Sequence, residues 1–330
     1  MRALALLLLG LFWLQPAAAD RILVGPERAV KLPSDALRQA ADGDVIAIDE
    51  GEYFDCLRLR VDGLTIEGQG AGAVLTDLAC DGKAIIVATA DRIVLRNLTL
   101  QRARVPDGNG AGIRAEGPGL TIENVRFVNN QAGVIAGDAP NASITIRDAL
   151  FSATGRCDVP RCANAITVGR LKSLVIERSR LTGTIGAHMI VSAAAQTRIV
   201  SSIIEDGAKG SASFQVIIAT GNLVMEDNVV QKGRQAANRR GAVQLSGRTG
   251  GEMVFRRNNF INDTGASTPF VLDWSDATLV MERNIVAPGD SEVSASGSIT
   301  HRVVDAGHTA KDFVAKLVGY ARKVVSVVLR

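Results

Sequence analysis

Residues 120–130 read LTIENVRFVNN, with apolar side chains at Leu120, Ile122, Val125 and Phe127. That is the alternation of a half-buried strand, broken by one corner at Asn124. Near-copies return down the chain: LTIEG at 64, IVLRNLTL at 93, ITIRDALF at 144, LVIERSRL at 174, LVMEDNVV at 223, MVFRRNNF at 253 and LVMERNIV at 279. With a further copy at 197, successive starts lie 23 to 30 residues apart. A period of this size marks one supersecondary unit stacked many times.

Upstream of each copy, by 9 to 12 residues, sits a second recurring element: AIIVA at 84, AGIRA at 111, AGVIA at 132, NAITV at 164, AHMIV at 187, FQVII at 214, GAVQL at 241 and PFVLD at 269. A third short strand follows the corner, as in LTL at 98, VRF at 125 and NNF at 258. Three strands per coil, in order AGIRA-type, LTIEN-type, VRF-type, make an all-β parallel β-helix of about nine to ten coils of ~27 residues. A leucine-rich repeat would need a helical return segment, and the strand alternation leaves no room for one.

The corner position holds Asn97, Asn124, Asp148, Arg178, Ser201, Asp227, Arg257 and Arg283. A tight corner favours a residue that tolerates positive φ, which Asn and Asp do. The next position, ending in Ser179, Ser202, Asn228, Asn258 and Asn284, should stack into a polar ladder. Two residues further on, Leu100, Phe127, Phe151, Leu181, Ile204, Val230, Phe260 and Val286 should form an internal stack.

These features, with the opening DVIAIDEGEYFDCLRLRVDGLTIEGQG at 44–70, resemble right-handed parallel β-helix proteins of the pectin-lyase-like superfamily. The resemblance runs from about Ser34 to Val286 and speaks to fold, not activity. The expected divisions are a signal peptide at 1–19, an N-terminal cap at 20–43, the β-helix at 44–290 and a C-terminal cap at 291–330. Open solenoid ends need covering. Ser34 to Gly43 reads as a short helix with a Ser cap, and Thr309 onward as a second, with Phe313, Leu317, Tyr320 and Val324 on one stripe.

Met1-Arg2, the apolar run Ala3 to Leu14 and the Ala-x-Ala end before Asp20 predict export, so secretion or a periplasmic location is expected. That run is too short to span a membrane. The net charge is +3, too balanced for a nucleic-acid partner. The four cysteines suit an oxidising compartment and allow three connectivities. Cys56 and Cys80 each precede the first strand of consecutive coils, so stacking puts them about 5 Å apart. Cys157 and Cys162 bracket one loop, and these two pairs are the expected disulfides. The irregular separations argue against a zinc site.

The resemblance implies a groove along the AGIRA-type strands, walled by the loops before them. Taking the third residue of each copy as inward leaves two outward columns. One is Ile85, Gly112, Gly133, Ala165, His188, Gln215, Ala242, Phe270; the other is Val87, Arg114, Ile135, Thr167, Ile190, Ile217, Gln244, Leu272. No acid appears in either, and the superfamily's hydrolase, esterase and epimerase signatures are absent, as are clustered acids for calcium. No cofactor or metal is therefore expected. What remains polar is His188 and Lys209 as candidate bases, with Arg161, Gln215, Arg239, Arg240 and Gln244 as candidate contacts for a uronate carboxylate. Four arginines fall within 234–248, and Trp274 between Asp273 and Asp276 could stack a sugar. The expected partner is an acidic polysaccharide or cell-envelope glycan, which is bound and, if the protein is an enzyme, cleaved or epimerised in the manner of a lyase or epimerase. The alternative is a non-catalytic envelope protein that self-associates through the apolar first-strand face.

Overall fold

The computed structural model describes residues 19–157, 162–247, 251–287, 289–295 and 301–304. Among them the strands stack as three parallel sheets in about ten right-handed turns. Sheet 1, built from the AGIRA-type strands, has ten strands. Sheet 2, from the LTIEN-type strands, has twelve, and sheet 3, from the VRF-type strands, has ten. Every coil pairs in register with the next. Leu120, Thr121 and Ile122 oppose Ile93, Val94 and Leu95 on one side and Ile144, Thr145 and Ile146 on the other.

The corner between sheets 2 and 3 is set by single residues in the left-handed region. All eight corner positions adopt it, from Arg178 at φ 46° to Asp227 at 57°. Where the corner is an arginine, stacking supplies partners: Arg178 pairs with Asp148 at 2.8 Å and Arg257 with Asp227 at 2.9 Å. No such bond holds Arg283 among the described residues. An L-residue with a long side chain is strained there by roughly 1 kcal/mol relative to glycine. Arg283→Gly is therefore expected to raise stability by a few tenths to about 1 kcal/mol, read as a rise in the urea midpoint. A fall would show that the left-handed corner is not costly at this position.

Directly after the corner the polar ladder runs inside the coil. Ser179 Oγ accepts the Ala149 N–H at 3.1 Å, Ser202 Oγ the Ser179 N–H at 3.1 Å, and Asn228 Oδ1 the Ser202 N–H at 2.9 Å. Asn258 and Asn284 continue it at 3.2 and 3.0 Å. Beyond it the internal stack is in register from Leu100 to Val286, with the Phe127 and Phe151 rings parallel and 4.3 Å apart. The outer face of sheet 2 carries an alternating charge row through Glu67, Arg96, Glu123, Arg147 and Glu177, a solvated surface with Arg147 3.0 Å from Glu177.

The helix of the N-terminal cap is shorter than the sequence suggests. The helix covers Pro33–Ala36, with Pro33 rather than Ser34 opening it. Proline at the first helical position fixes φ without losing a needed donor, and Leu37 onward turns to lead the chain into the solenoid. The sheets extend beyond 44–290 at both ends: Arg21–Val24 adds a strand to sheet 2, and Val293–Ala295 and His301–Val304 continue sheets 1 and 2. The expected C-terminal cap helix and residues 1–18 of the expected signal peptide lie outside the described residues. No described helix is long and apolar enough to cross a membrane.

Candidate functional site

Sheet 1 differs from the expected geometry in one recurring detail. The N–H groups of Gly133 and Val134 both donate to Ala165 O, at 2.9 and 3.0 Å. Gln215 and Val216 likewise share Ala242 O, and Ala242 and Val243 share Phe270 O. Two successive donors on one carbonyl form a bulge, which turns the second residue of each strand inward together with the third. The column Ile85, Gly112, Gly133, Ala165, Gln215, Ala242, Phe270 is accordingly buried and not outward. A Cβ at Gly112 would sit 2.6 Å from the Phe127 ring, inside the coil.

The coil at 187–191 is also offset by one residue from the expected alignment. Ile166 opposes Ile190, and Ile190 opposes Val216. Ile190 therefore points inward, and Val191 takes its place in the outward column. A one-residue shift exchanges the faces of a strand. His188 moves to the register of Asn164 and Phe214, the position where Ala111 and Ala132 pack on the outer side beneath the loops.

The loops that wall sheet 1 are tied down. Cys56–Cys80 is a disulfide with Cα atoms 5.5 Å apart, and with Val87, Ala111, Ala132, Ile135 and Ala163 it forms a second apolar cluster over the outer face. Cys157–Cys162 closes the other loop. Beside it Arg156, Ile185 and Ser211 bridge three consecutive loops into a short ladder.

Within this wall the structure brings His188 and Gln215 together with Asp206, which the sequence places on a loop before the first strand, and with Lys232, which sequence reasoning missed. Lys232 is fully buried, and its ammonium donates to Ser213 O at 2.7 Å and lies 5.6 Å above the Phe214 ring. Gln215 Oε1 stands 3.5 Å from the same ammonium. Asp206, also fully buried, accepts the Ala212 N–H at 2.8 Å and the Gly233 N–H at 2.7 Å. The His188 ring packs 5.8 Å from Phe214, with a buried Nδ1 that has no hydrogen-bond partner among the described residues.

Burial dominates the protonation of all three. It pushes Lys232 down to about 8 against the pull of Asp206, and pushes Asp206 up despite its two N–H donors. It also lowers His188, and the Lys232 charge lowers it further, so the imidazole is neutral at pH 7. The signal for this pair was present in the alternation. Asp206 and Lys232 each lie two residues past the internal stack, at Ile204 and Val230, so period two directs both inward.

The other expected residues separate. Lys209, Arg239 and Arg240 are exposed on loops, and Arg161 lies outside the described residues. Gln244 is half-buried in the outward column between Ile217 and Leu272. Arg240 does have a partner: its guanidinium stacks 4.6 Å over the Trp274 indole. Trp274, 37% exposed, projects from the outer face two residues beyond Leu272. Among the described residues no group of three His, Cys, Asp or Glu is placed to hold a metal ion.

The outward column of sheet 1 thus reads Arg58, Val87, Arg114, Ile135, Thr167, Val191, Ile217, Gln244, Leu272. Nine strands at about 4.8 Å make a strip roughly 38 Å long. It is basic at the N-terminal end, small and β-branched in the middle, and aromatic with Gln and Arg at the C-terminal end.

Residues 83–260 match the right handed beta helix region family, and the chain belongs to it. Among solved structures it is similar to pectate lyase Pel9A, at 14% identity over 90% of this chain and 83% of that one, with a TM-score of 0.52. It is also similar to the pectin methylesterase from Yersinia enterocolitica, at 10% identity over 83% and 94% of the two chains with a TM-score of 0.42. Pectin methylesterase PemA from Erwinia chrysanthemi aligns at 11% identity over 91% and 98%, with a TM-score of 0.44. Similarity at this level is similarity of fold. None of the curated proteins matches the chain.

Proposed function

We propose that this is an exported protein that binds an acidic polysaccharide lengthwise on the outer face of sheet 1. The observation that carries the reading is the Arg240–Trp274 stack beside Gln244. An exposed indole offers an apolar face to a sugar ring, and a guanidinium fixed against it offers paired donors to a carboxylate. The strip is long, its walls are tied by disulfides, and arginines stand towards both of its ends, which suits an extended anionic ligand. Pel9A, a pectate lyase by name, shares the fold, and a uronate glycan is the ligand class carried over from it. The export signal at 1–19 and the two disulfides agree with a place outside the cytoplasm.

Calorimetric titration with a panel of uronate polysaccharides and a neutral galactan tests the reading. Wild-type protein should bind the acidic polymers and not the galactan, more weakly as salt rises. Trp274→Ala should weaken binding by tenfold or more. No binding to any acidic polymer, or equal binding to the neutral one, sinks the idea.

If the bound chain is also cleaved or epimerised, His188 and Lys209 are the bases to test. His188 is already in its neutral, proton-accepting form at pH 7, while Lys209 reaches out from the loop that contains Asp206. Unsaturated product would appear as ultraviolet absorbance, and undiminished product from His188→Ala would remove that residue from the role. A second reading rests on the half-buried Ile135, Val191 and Ile217 at mid-strip: a non-catalytic envelope protein that self-associates through this face. It predicts concentration-dependent sedimentation that Ile217→Lys abolishes.

A further inference from the structure

The strip on sheet 1 does not run open at its N-terminal end. Its first strand, Leu57–Leu59, is the edge of the sheet. There the cap residues Ser34, Leu37 and Arg38 stand against Cys56, Arg58 and Arg60 around a cleft of ≈ 220 Å³. The wall is held from both sides. Asp55, buried beneath it, accepts the N–H groups of Ser34 at 2.7 Å and Cys56 at 2.8 Å, and Cys56 is bonded to Cys80 in the next coil.

Three arginines line this cleft, and their guanidinium groups are unequally satisfied. Arg38 pairs with Asp35 at 3.0 Å and Arg58 with Asp81 at 2.9 Å. No hydrogen bond or ion pair holds Arg60 among the described residues. Two of the three lining arginines are thus committed to a neighbouring carboxylate, and Arg60 is the one whose donors are left to a ligand. The volume falls below the roughly 300–1,000 Å³ of sites that take drug-sized ligands. It suits one sugar ring with one anionic substituent.

We propose that this cleft is a terminal subsite: it takes the acidic sugar at one end of a glycan chain and fixes the polarity in which the chain lies on sheet 1. Arg60 grips the carboxylate or sulfate, Arg38 and Arg58 supply further donors, and Ser34 offers its hydroxyl to the ring. The cap blocks any longer extension in that direction. A rigid, disulfide-bonded wall lowers the ordering cost of binding so small a ligand. The proposal rests on the reading that sheet 1 receives an acidic glycan.

Nuclear magnetic resonance titration with galacturonic acid, galactose 6-sulfate and galactose tests it, alongside calorimetry with long polygalacturonate. Wild-type protein should bind the two acidic monosaccharides, on the order of millimolar for ligands of this size, and not galactose. The tighter of the two names the anion. The variant Arg38→Ala/Arg60→Ala removes two exposed side chains and should keep its unfolding midpoint. It should lose at least tenfold in monosaccharide affinity and less for the polymer, which still has the rest of the strip. Unchanged monosaccharide affinity in the variant, or equal binding of galactose, overturns the subsite. The outcomes also separate the two readings. Polymer binding that depends on Trp274, without monosaccharide binding, removes the subsite and leaves the strip. Monosaccharide binding that depends on the arginines, without polymer binding, does the reverse, and binding of neither removes both.

Discussion

Asn258→Leu should lower stability by about 4 kcal/mol, although leucine has the same branched outline and the site is fully buried. The amide is the hub of the internal ladder. Its Oδ1 accepts the Asn228 N–H at 3.2 Å and the Asn228 amide at 2.9 Å, and its Nδ2 donates to Met225 O at 2.8 Å and Asn284 Oδ1 at 3.0 Å. Leucine satisfies none of these. Two main-chain groups, Asn228 N–H and Met225 C=O, would lose a partner in a place water does not reach. Each such group costs about 1–3 kcal/mol, and the deserted side-chain amides add to the sum. The control is Asn258→Ser. Serine serves the same ladder position at Ser179 and Ser202, where Oγ accepts the preceding coil's N–H and donates to the carbonyl two residues back. Asn258→Ser should therefore cost about half as much. Urea unfolding followed by circular dichroism gives the order wild type, Ser, Leu. A leucine variant as stable as the serine variant would show that the ladder contributes shape and not bonding.

The same ladder shows why the fold was legible in LTIENVRFVNN and its copies. A corner that needs positive φ, a ladder position one residue later and an apolar stack two residues beyond that are all local steric demands, repeated at each coil. Even so, Arg178, Arg257 and Arg283 at the corner carry no sign of φ in their chemistry, and only alignment with Asn97 and Asn124 reveals it. The cap helix was overdrawn because Ser34 and Gly43 look like its limits, whereas Pro33 opens it and the chain leaves after one turn.

Sheet 1 was less legible for a physical reason. AGIRA and AGVIA are small and apolar at successive positions, so alternation does not distinguish inside from outside, and a bulge that turns two neighbours inward leaves no compositional trace. The error at Gly112 is harmless, but at Gln215 it moved a polar side chain from solvent to the interior. In the same way AHMIV at 187 offers Met189 and Ile190 as equally good inward residues, and backbone pairing to Ile166 and Val216 decides between them. His188 was found because two misreadings cancel: the second position turns inward at the bulge, but the one-residue offset puts His188 in the first position, on the loop side. The Arg240–Trp274 contact joins residues 34 positions apart across consecutive coils, and a sequence shows their types but not their approach.

Asp206→Ala should cost about 3–5 kcal/mol at pH 7, the range for a buried charge that loses its counterpart. The carboxylate fastens two consecutive loops, through Ala212 N–H and Gly233 N–H, and faces the buried Lys232 ammonium. Its removal deserts both donors and leaves Lys232 with only neutral partners, the Ser213 carbonyl, Gln215 Oε1 and the Phe214 ring. In a Lys232→Met background the same substitution should cost less, since no cation remains to be compensated, and the difference measures the coupling. The pH dependence follows from the direction of each shift. Lys232 falls from 10.5 to about 8 on folding, so between those values the unfolded chain keeps a proton that the folded chain has released. Stability should therefore rise with pH across that window. His188, lowered from 6.5, acts in the same sense below that value, so stability should fall as the solution is acidified through it. Asp206, raised from 3.8, opposes this on the acid side, where its stabilisation is lost as pH rises. Thermal melts of wild type and Lys232→Met between pH 8 and 10.5 isolate the lysine. The wild type should gain stability relative to the variant across the window, and parallel curves would mean that Lys232 titrates as an ordinary lysine and that Asp206 acts through its two loop bonds alone.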